Sequence, residues 1–321
     1  MGSSYAAWSG ADRGSRPAIE YASEALQVAR RLEDLTGREP KGSPYDFARL
    51  FTAEGRLARQ RARFRFEQLK RLDPALIRLL CPGERVHFLT TGALLTVAEH
   101  FFTEWAAYYL ELSIIVFTTQ RLLFFRIDLR RRLVPLASQL PHAAIAAARS
   151  TWDGYCQLRL HNGQRLNFAY VPRLDRRLVR ERAAEIVAAP PAGPGPGPAG
   201  LEQLCPHCLA LVPDPARVCP ECGVAFRSPR TAALLSGLLP GAGHSYLGQR
   251  GFAWFAMGAA GLLWLGLVIG PLLRPLVTHA APAGLTHWLL AGGALAAVHA
   301  LDAALTLHHA RKGHYLAHPD A

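Results

Sequence analysis

Four cysteines carry the clearest chemistry in this chain. Cys205 and Cys208 form one Cys-x-x-Cys hook, Cys219 and Cys222 form a second, and ten residues separate the two. Paired hooks at this distance bring four thiolates to the corners of a tetrahedron, the arrangement that Zn²⁺ takes in a structural role. Pro206 and Pro220 stiffen the hooks, and Gly223 lets the chain turn so that backbone N–H groups face the sulfurs. Four thiolates leave no open coordination position, which argues against a catalytic zinc. His207, between the first two ligands, is expected to face solvent. So short a segment has no core of its own, and metal binding would supply its folding energy. Two disulfides are the competing reading, and they need an oxidising compartment. The other two of the six cysteines, Cys81 and Cys156, read as lone buried thiols.

A second group of candidates lies in apolar sequence. Asp302 sits within an otherwise apolar stretch, His299 lies three residues earlier on the same helical face, and His244 and Tyr246 fall in a preceding glycine-rich segment. A carboxylate inside a membrane costs a few kcal/mol unless protonated or paired, so this set reads either as a proton or ion site or as a hydrogen-bonded clamp between helices. Enzyme chemistry finds little support. No phosphate loop, serine elbow or His-Glu-x-x-His motif occurs. Cys156 and His161 have an odd separation along a strand, which puts them on opposite faces. The expectation is a protein that is not an enzyme.

The elements that position these residues divide the chain. Almost everything before the hooks reads as water-soluble, and almost everything after them as membrane. Phe252 to Leu273 is 22 residues without a charge, long enough at about 1.5 Å per residue to cross a hydrocarbon core. Leu285 to about Leu307 forms a second span, with Trp254 and Trp288 near the ends as interfacial anchors. Arg227, Arg230 and Arg250 precede the pair and Arg311 and Lys312 follow it, against Arg274 alone in the connecting loop. By the positive-inside rule both termini are then cytoplasmic, which agrees with reduced thiolates. Residues 231–248 are apolar but broken by Pro240-Gly-Ala-Gly243, and read as re-entrant or interfacial. Gly292, Ala296, Ala300 and Ala304 form a small-residue stripe that permits close helix contact, within the hairpin or between copies.

The formal charge is +12 over 321 residues, with a pI near 9.9. Most of the excess lies in residues 1–188, which hold 29 lysines and arginines against 19 acids. A basic surface of this kind suits nucleic acid or the anionic inner leaflet, or is simply a solvated Arg-rich face. The opening residues 1–14 lack a cationic start and an apolar run, so no cleavable signal peptide is expected, and Ala6 breaks a myristoylation motif at Gly2.

Within the first part, residues 1–80 read as a helical region. One helix is expected up to Gly37 and a longer one from Tyr45 to about Arg71. Arg56, Arg59, Arg61, Arg63, Arg65, Lys70 and Arg71 would form the basic outer face of the longer one. From residue 81 to 188 the period becomes that of strands. Tyr108–Phe117, Leu122–Ile127 and Ala144–Trp152 read as strands. Cys156–Tyr170 is a hairpin about Asn162-Gly163. A helix follows Pro172, with Leu174, Leu178, Ile186 and Val187 inward, and Arg130, Arg131 and Arg132 form a basic loop that could meet an anionic surface. The Pro/Gly linker 189–202 should let this unit and the four-cysteine segment (203–226) move independently. The membrane region covers 227–312, and 313–321 is a tail.

Three resemblances follow from these residues. The opening Gly83-Glu84-Arg85, the pair VFTTQRLLFF, the Leu136–Ile145 strand entry and the hairpin-then-helix ending resemble bacterial pleckstrin-homology-like (PH-like) domains. That implies a small β-barrel or sandwich closed by one helix, with a rim or sheet edge able to bind lipid head groups or peptides. Residues 203–226, with CPECG, are similar to short zinc ribbons at the ends of bacterial membrane proteins. LLPGAGHSYLGQRG followed by Leu301-Asp302-Ala303 resembles the two-transmembrane-helix domain family, on Gly241, Gly243, His244, Tyr246, Leu247, Gly248, Gly251 and Asp302. The expected fold is multidomain α+β, with N-terminal helices, the PH-like unit, the ribbon and a membrane hairpin. The expected function is an inner-membrane adaptor that engages membrane lipid and a protein partner through its cytoplasmic part. The alternatives are an oligomeric channel or transporter component using Asp302, and a membrane-tethered nucleic-acid binder.

Overall fold

The computed structural model describes residues 44–51, 58–102, 104–128, 130–151, 155–188, 200–278, 281 and 283–317. The helix expected up to Gly37 and most of the Pro/Gly linker lie outside the described residues. The chain divides into two compact units, Met1–Phe88 and Leu89–Ala321.

In the first unit, α1 (Phe47–Leu50) precedes α2 (Ala58–Leu79). Leu69, Leu72 and Leu76 are buried at helical spacing, while Arg63, Lys70 and Arg71 are exposed as the amphipathic pattern requires. Arg65 departs from the expected basic face. It is buried, it donates to the Leu50 carbonyl at 3.1 Å, and its guanidinium lies 4.7 Å from the Phe88 ring centroid. A guanidinium tolerates burial when a carbonyl and an aromatic face replace its water. Cys81 is exposed rather than buried, because it follows the last turn of α2 where the chain leaves the helix.

The second unit is mixed α+β around one antiparallel sheet. Its strands are β1 (Val86–Thr96, beginning before the boundary), β2 (Ser113–Thr118), β3 (Arg121–Ile127), β4 (Leu133–Pro141), β5 (Ile145–Ser150), β6 (Cys156–Leu160), β7 (Arg165–Ala169), β8 (Glu202–Leu204) and β9 (Leu211–Val212). They run in the order β5-β6-β7-β1-β2-β3-β4-β8-β9. Leu95, Ile115, Phe117, Leu123, Leu158 and Phe168 are buried, and the Phe117 and Phe168 rings stack at 6.1 Å. The tight β2–β3 connection is set by Thr118. Its hydroxyl accepts from the N–H groups of Gln120 and Arg121 at 3.2 and 3.0 Å, a local alternative to strand pairing. In the β6–β7 hairpin Leu158 faces Leu166, and Asn162 accepts from the Gln164 N–H at 2.9 Å in the turn.

Three sequence expectations change here. Tyr108–Leu110 is helical, not strand. Between β1 and β2 the chain forms α3 (Val97–Phe102) and α4 (Glu104–Leu110). The cause is local: Thr96 Oγ1 accepts from the Glu99 N–H at 3.2 Å while Glu99 Oε2 accepts from the Thr96 N–H at 2.7 Å, a capping box that starts a helix. In α5 (Arg176–Ala188) the buried face is Val179, Ala183 and Ile186, a clean helical spacing that leaves Val187 exposed, as Leu174 is ahead of the helix. Third, the four-cysteine segment is not free to move independently of the sheet. β8 pairs with β4 (Ala137 opposite Leu204) and β9 with β8, so the segment extends the sheet by backbone hydrogen bonds.

Beyond the sheet lie α6 (Pro229–Leu238), α7 (Ala242–Tyr246), α8 (Arg250–Trp264), a π-helical turn (Leu265–Ile269), α9 (Gly270–Thr278) and α10 (Leu285–Arg311). Arg250–Arg274 and Leu285–Arg311 are long and apolar enough to cross a membrane. Trp254 is 74% exposed and Leu262 71%, which a water-soluble core helix would not tolerate over such a length. Pro271 has no N–H to give the carbonyl four residues back, that of Leu267. His287 Nε2 donates to it instead at 3.0 Å. α6 is about 15 Å long at ten residues, half of what a span needs. It lies antiparallel to the end of α10, with Ser236 Oγ 2.8 Å from Thr306 Oγ1, and the chain then returns through α7.

Candidate functional site

The two hooks are built alike. In the first, the Leu209 N–H donates to the Cys205 carbonyl at 2.9 Å; in the second, the Gly223 N–H donates to the Cys219 carbonyl at 3.0 Å. Each turn closes on a left-handed residue, Leu209 at φ 63° and Gly223 at φ 73°. The four sulfurs lie within 4.8 Å of one another, with Cys205 Sγ 3.7 Å from Cys222 Sγ and Cys208 Sγ 3.6 Å from Cys219 Sγ. A tetrahedral site with metal–sulfur bonds of about 2.3 Å has sulfur–sulfur edges of about 3.8 Å, so the geometry fits a zinc-sized ion. Burial opposes ionisation of Cys219, but the N–H groups of Cys222 and Glu221 outweigh it and bring the thiol down to about 7. Val212, Phe226 and Leu316 close the back of the site, and His207 is exposed. Cys156, by contrast, is an inert core thiol, pushed up to about 12 by burial.

A second constellation joins the sheet unit to the end of α10. Glu99, at the start of α3, and Glu111, after α4, have side chains only 5% and 4% exposed. Lys312, at the C-terminal cap of α10, bonds both carboxylates, at 2.7 Å from Glu111. His308 bonds Glu99, and His309 Nδ1 lies 3.0 Å from Glu111 Oε1. Burial disfavours both charges, yet the His308 hydrogen bond and the Lys312 ammonium hold Glu99 well below the usual carboxylate range. His309 and Lys312 likewise bring Glu111 down to about 2. Cations at a helix C-terminus also complement the helix dipole. Glu99, Glu111 and His308 are close enough to share a cation, but the Lys312 ammonium already lies against both carboxylates. Beside this cluster the sheet holds a cavity of about 510 Å³ lined by Ser113, Phe124, Arg126, Leu166, Gln203 and Lys312 among others. Its walls carry both charges and apolar carbon.

The apolar-segment candidates do come together. Asp302 is buried, and its Oδ2 accepts from the Gly241 N–H at 2.8 Å. His244 Nε2 is 3.7 Å from Asp302 Oδ1, and its Nδ1 is 2.7 Å from Gln249 Oε1. Gln249 in turn donates to the Tyr315 hydroxyl at 2.7 Å. His299 Nδ1 donates to the Gly237 carbonyl at 2.8 Å, beside the end of α6 where carbonyls lack helical partners. A Cβ on Gly243 would lie 2.1 Å from the Ala232 carbonyl, so only glycine lets α7 pack this closely on α6. Tyr246 is apart from the Asp302 set. Its ring carries the Arg227 guanidinium at 5.3 Å. The small-residue stripe Gly292, Ala296, Ala300 and Ala304 is exposed, so it does not pack inside the hairpin.

Arg130, Arg131 and Arg132 are exposed at the β3–β4 turn. Asp128 organises that turn, accepting from the Arg132 N–H at 2.8 Å. The sequence reading did not single out Glu99, Glu111, His308 or His309. The capping-box spacing of Thr96 and Glu99 was the only local signal. No family model, curated protein or solved structure matches this chain.

Proposed function

We propose that this chain is a non-enzymatic integral adaptor of the bacterial inner membrane, with both termini cytoplasmic. In this reading the antiparallel sheet and α5 form a PH-like binding unit, the hooks form a structural zinc ribbon, and 231–248 is re-entrant beside two spans. The observation that carries it is mechanical continuity. The sheet is tied to the four-cysteine hairpin through β4–β8 pairing, and to the end of α10 through Glu99, Glu111 and Lys312. A surface fixed this way to the end of an apolar helix suits display and transmission at the membrane. Zinc, when bound, supplies four metal–sulfur bonds and no open coordination position. The chain's own N–H groups orient the thiolates.

Cross-linking in cells followed by detergent purification tests the adaptor. A specific protein attached through the sheet unit supports it. Only self-cross-links through α8 and α10 would discard it in favour of an oligomeric hairpin. Metal analysis of the same preparation should give one zinc per chain, lost in Cys205→Ser.

The channel reading loses ground to the Asp302–Gly241 hydrogen bond, which uses the carboxylate to fasten a helix turn. The nucleic-acid reading gains no residue from the burial of Arg65.

A further inference from the structure

We infer that the chain carries a built site for the phosphate group of an anionic phospholipid, where α6 and α10 meet the four-cysteine hairpin. A cavity of about 820 Å³ there is lined by Arg217 from the hairpin, Arg227 and Arg230 at the start of α6, and Arg311 at the end of α10. Asp214 is the one acid among its lining residues. Arg227 is committed elsewhere, donating to the Leu316 carbonyl at 2.7 Å and stacking on Tyr246. The side chains of Arg217, Arg230 and Arg311 are exposed and have no protein partner among the described residues. Arginines around one cavity give it a positive potential that favours an anion, and a guanidinium binds phosphate oxygens in a fork.

The depth selects the source of the phosphate. The inference rests on the membrane placement proposed above. There, Arg311 ends the second span and Arg230 opens the segment that enters beside it, so the cavity falls at the level of cytoplasmic head groups. Basic pockets between helices on that side suit anionic lipid. Leu307 lines the same cavity and continues into the apolar face of α10, where acyl chains would lie.

The full chain would be reconstituted in nanodiscs of equal phosphatidylglycerol and phosphatidylcholine, and its retained lipid counted by native mass spectrometry. Selective retention of phosphatidylglycerol, at least about tenfold over phosphatidylcholine, is expected. Arg230→Gln and Arg311→Gln should each weaken it by about fivefold, and the corresponding lysine variants, which keep the charge but lose the fork, should weaken it by about twofold. Unchanged zinc content and thermal midpoint would show that the glutamine variants are folded. Equal retention of the two lipids, or retention unaltered in the double glutamine variant, overturns the site. Displacement of the lipid by millimolar inorganic phosphate overturns the lipid source, identifying the pocket as one for a free anion. Release of the chain from membranes by alkaline carbonate would instead sink the membrane reading. A chain that resists carbonate but shows no lipid preference sinks this inference alone.

Discussion

Lys312 and Glu111, 201 positions apart in sequence, meet with the ammonium 2.7 Å from both carboxylate oxygens. The same ammonium also bonds Glu99. One side chain at the end of α10 therefore bridges two carboxylates that α3 and α4 have taken out of water, with His308 and His309 as their other partners. Removing one partner of a buried pair costs more than the pair contributes, because the remaining charge has no solvent. Lys312→Met should destabilise the second unit by about 3–5 kcal/mol in detergent-solubilised protein. Adding Glu111→Gln to Lys312→Met should recover part of that loss. Denaturant midpoints of the four proteins in the cycle check this, and additive losses would rule out the clamp.

The same pair sets an acid limit. The folded-state pKa of Glu111 is depressed from 4.5 to about 2. Its stabilisation is therefore fully present above about pH 4.5 and is lost as pH falls toward about 2. Glu99 shifts in the same direction. Thermal midpoints of the native chain should fall through this window, and those of Glu111→Gln should fall less steeply. Parallel curves for the two proteins would show that Glu111 carries no such linkage.

Leu209 and Gly223 occupy equivalent positions in the two hooks, both at positive φ. Glycine meets that conformation at no steric cost, whereas an L side chain costs about 1–2 kcal/mol. Part of that cost returns through glycine's larger unfolded-state entropy. Leu209→Gly should then stabilise the hairpin by about 0.5–1 kcal/mol, and Gly223→Ala should destabilise it by about 1 kcal/mol. Competition with a chromophoric zinc chelator reads both, as tighter and weaker metal retention. Weaker retention in Leu209→Gly would mean that leucine packing outweighs the backbone strain.

Legibility in the sequence followed the range of the forces. The hooks were readable because tetrahedral coordination needs four donors at short fixed spacings, and the β6–β7 hairpin because its turn and alternation are local. The two long apolar helices were readable because their length and composition suffice. The strand expected at Tyr108–Leu110 failed because the capping box of Thr96 and Glu99 starts α3 and the chain continues helically through α4, overriding aromatic β-propensity. Arg65 lies inside because Phe88 and the Leu50 carbonyl take the place of its water, and no helical periodicity records such partners. The β4–β8 pairing joins residues 63 to 67 positions apart, and the Lys312 clamp reaches Glu111 across 201. A single sequence carries no spacing rule for either.

Asp302 is the last residue whose role separates the readings. Its Oδ2 accepts from the Gly241 N–H at 2.8 Å, at the turn between α6 and α7. An asparagine oxygen can accept the same hydrogen bond without the charge. Asp302→Asn should therefore change stability by less than about 1 kcal/mol, whereas Asp302→Leu leaves the buried N–H unpaired and should cost about 1–3 kcal/mol. Thermal midpoints and monodispersity in detergent measure both. Equal collapse of the two variants would show that the negative charge, beside His244 at 3.7 Å, is itself required. Asp302→Asn that keeps its fold but loses its cellular function would revive the ion-site reading and displace the helix clamp.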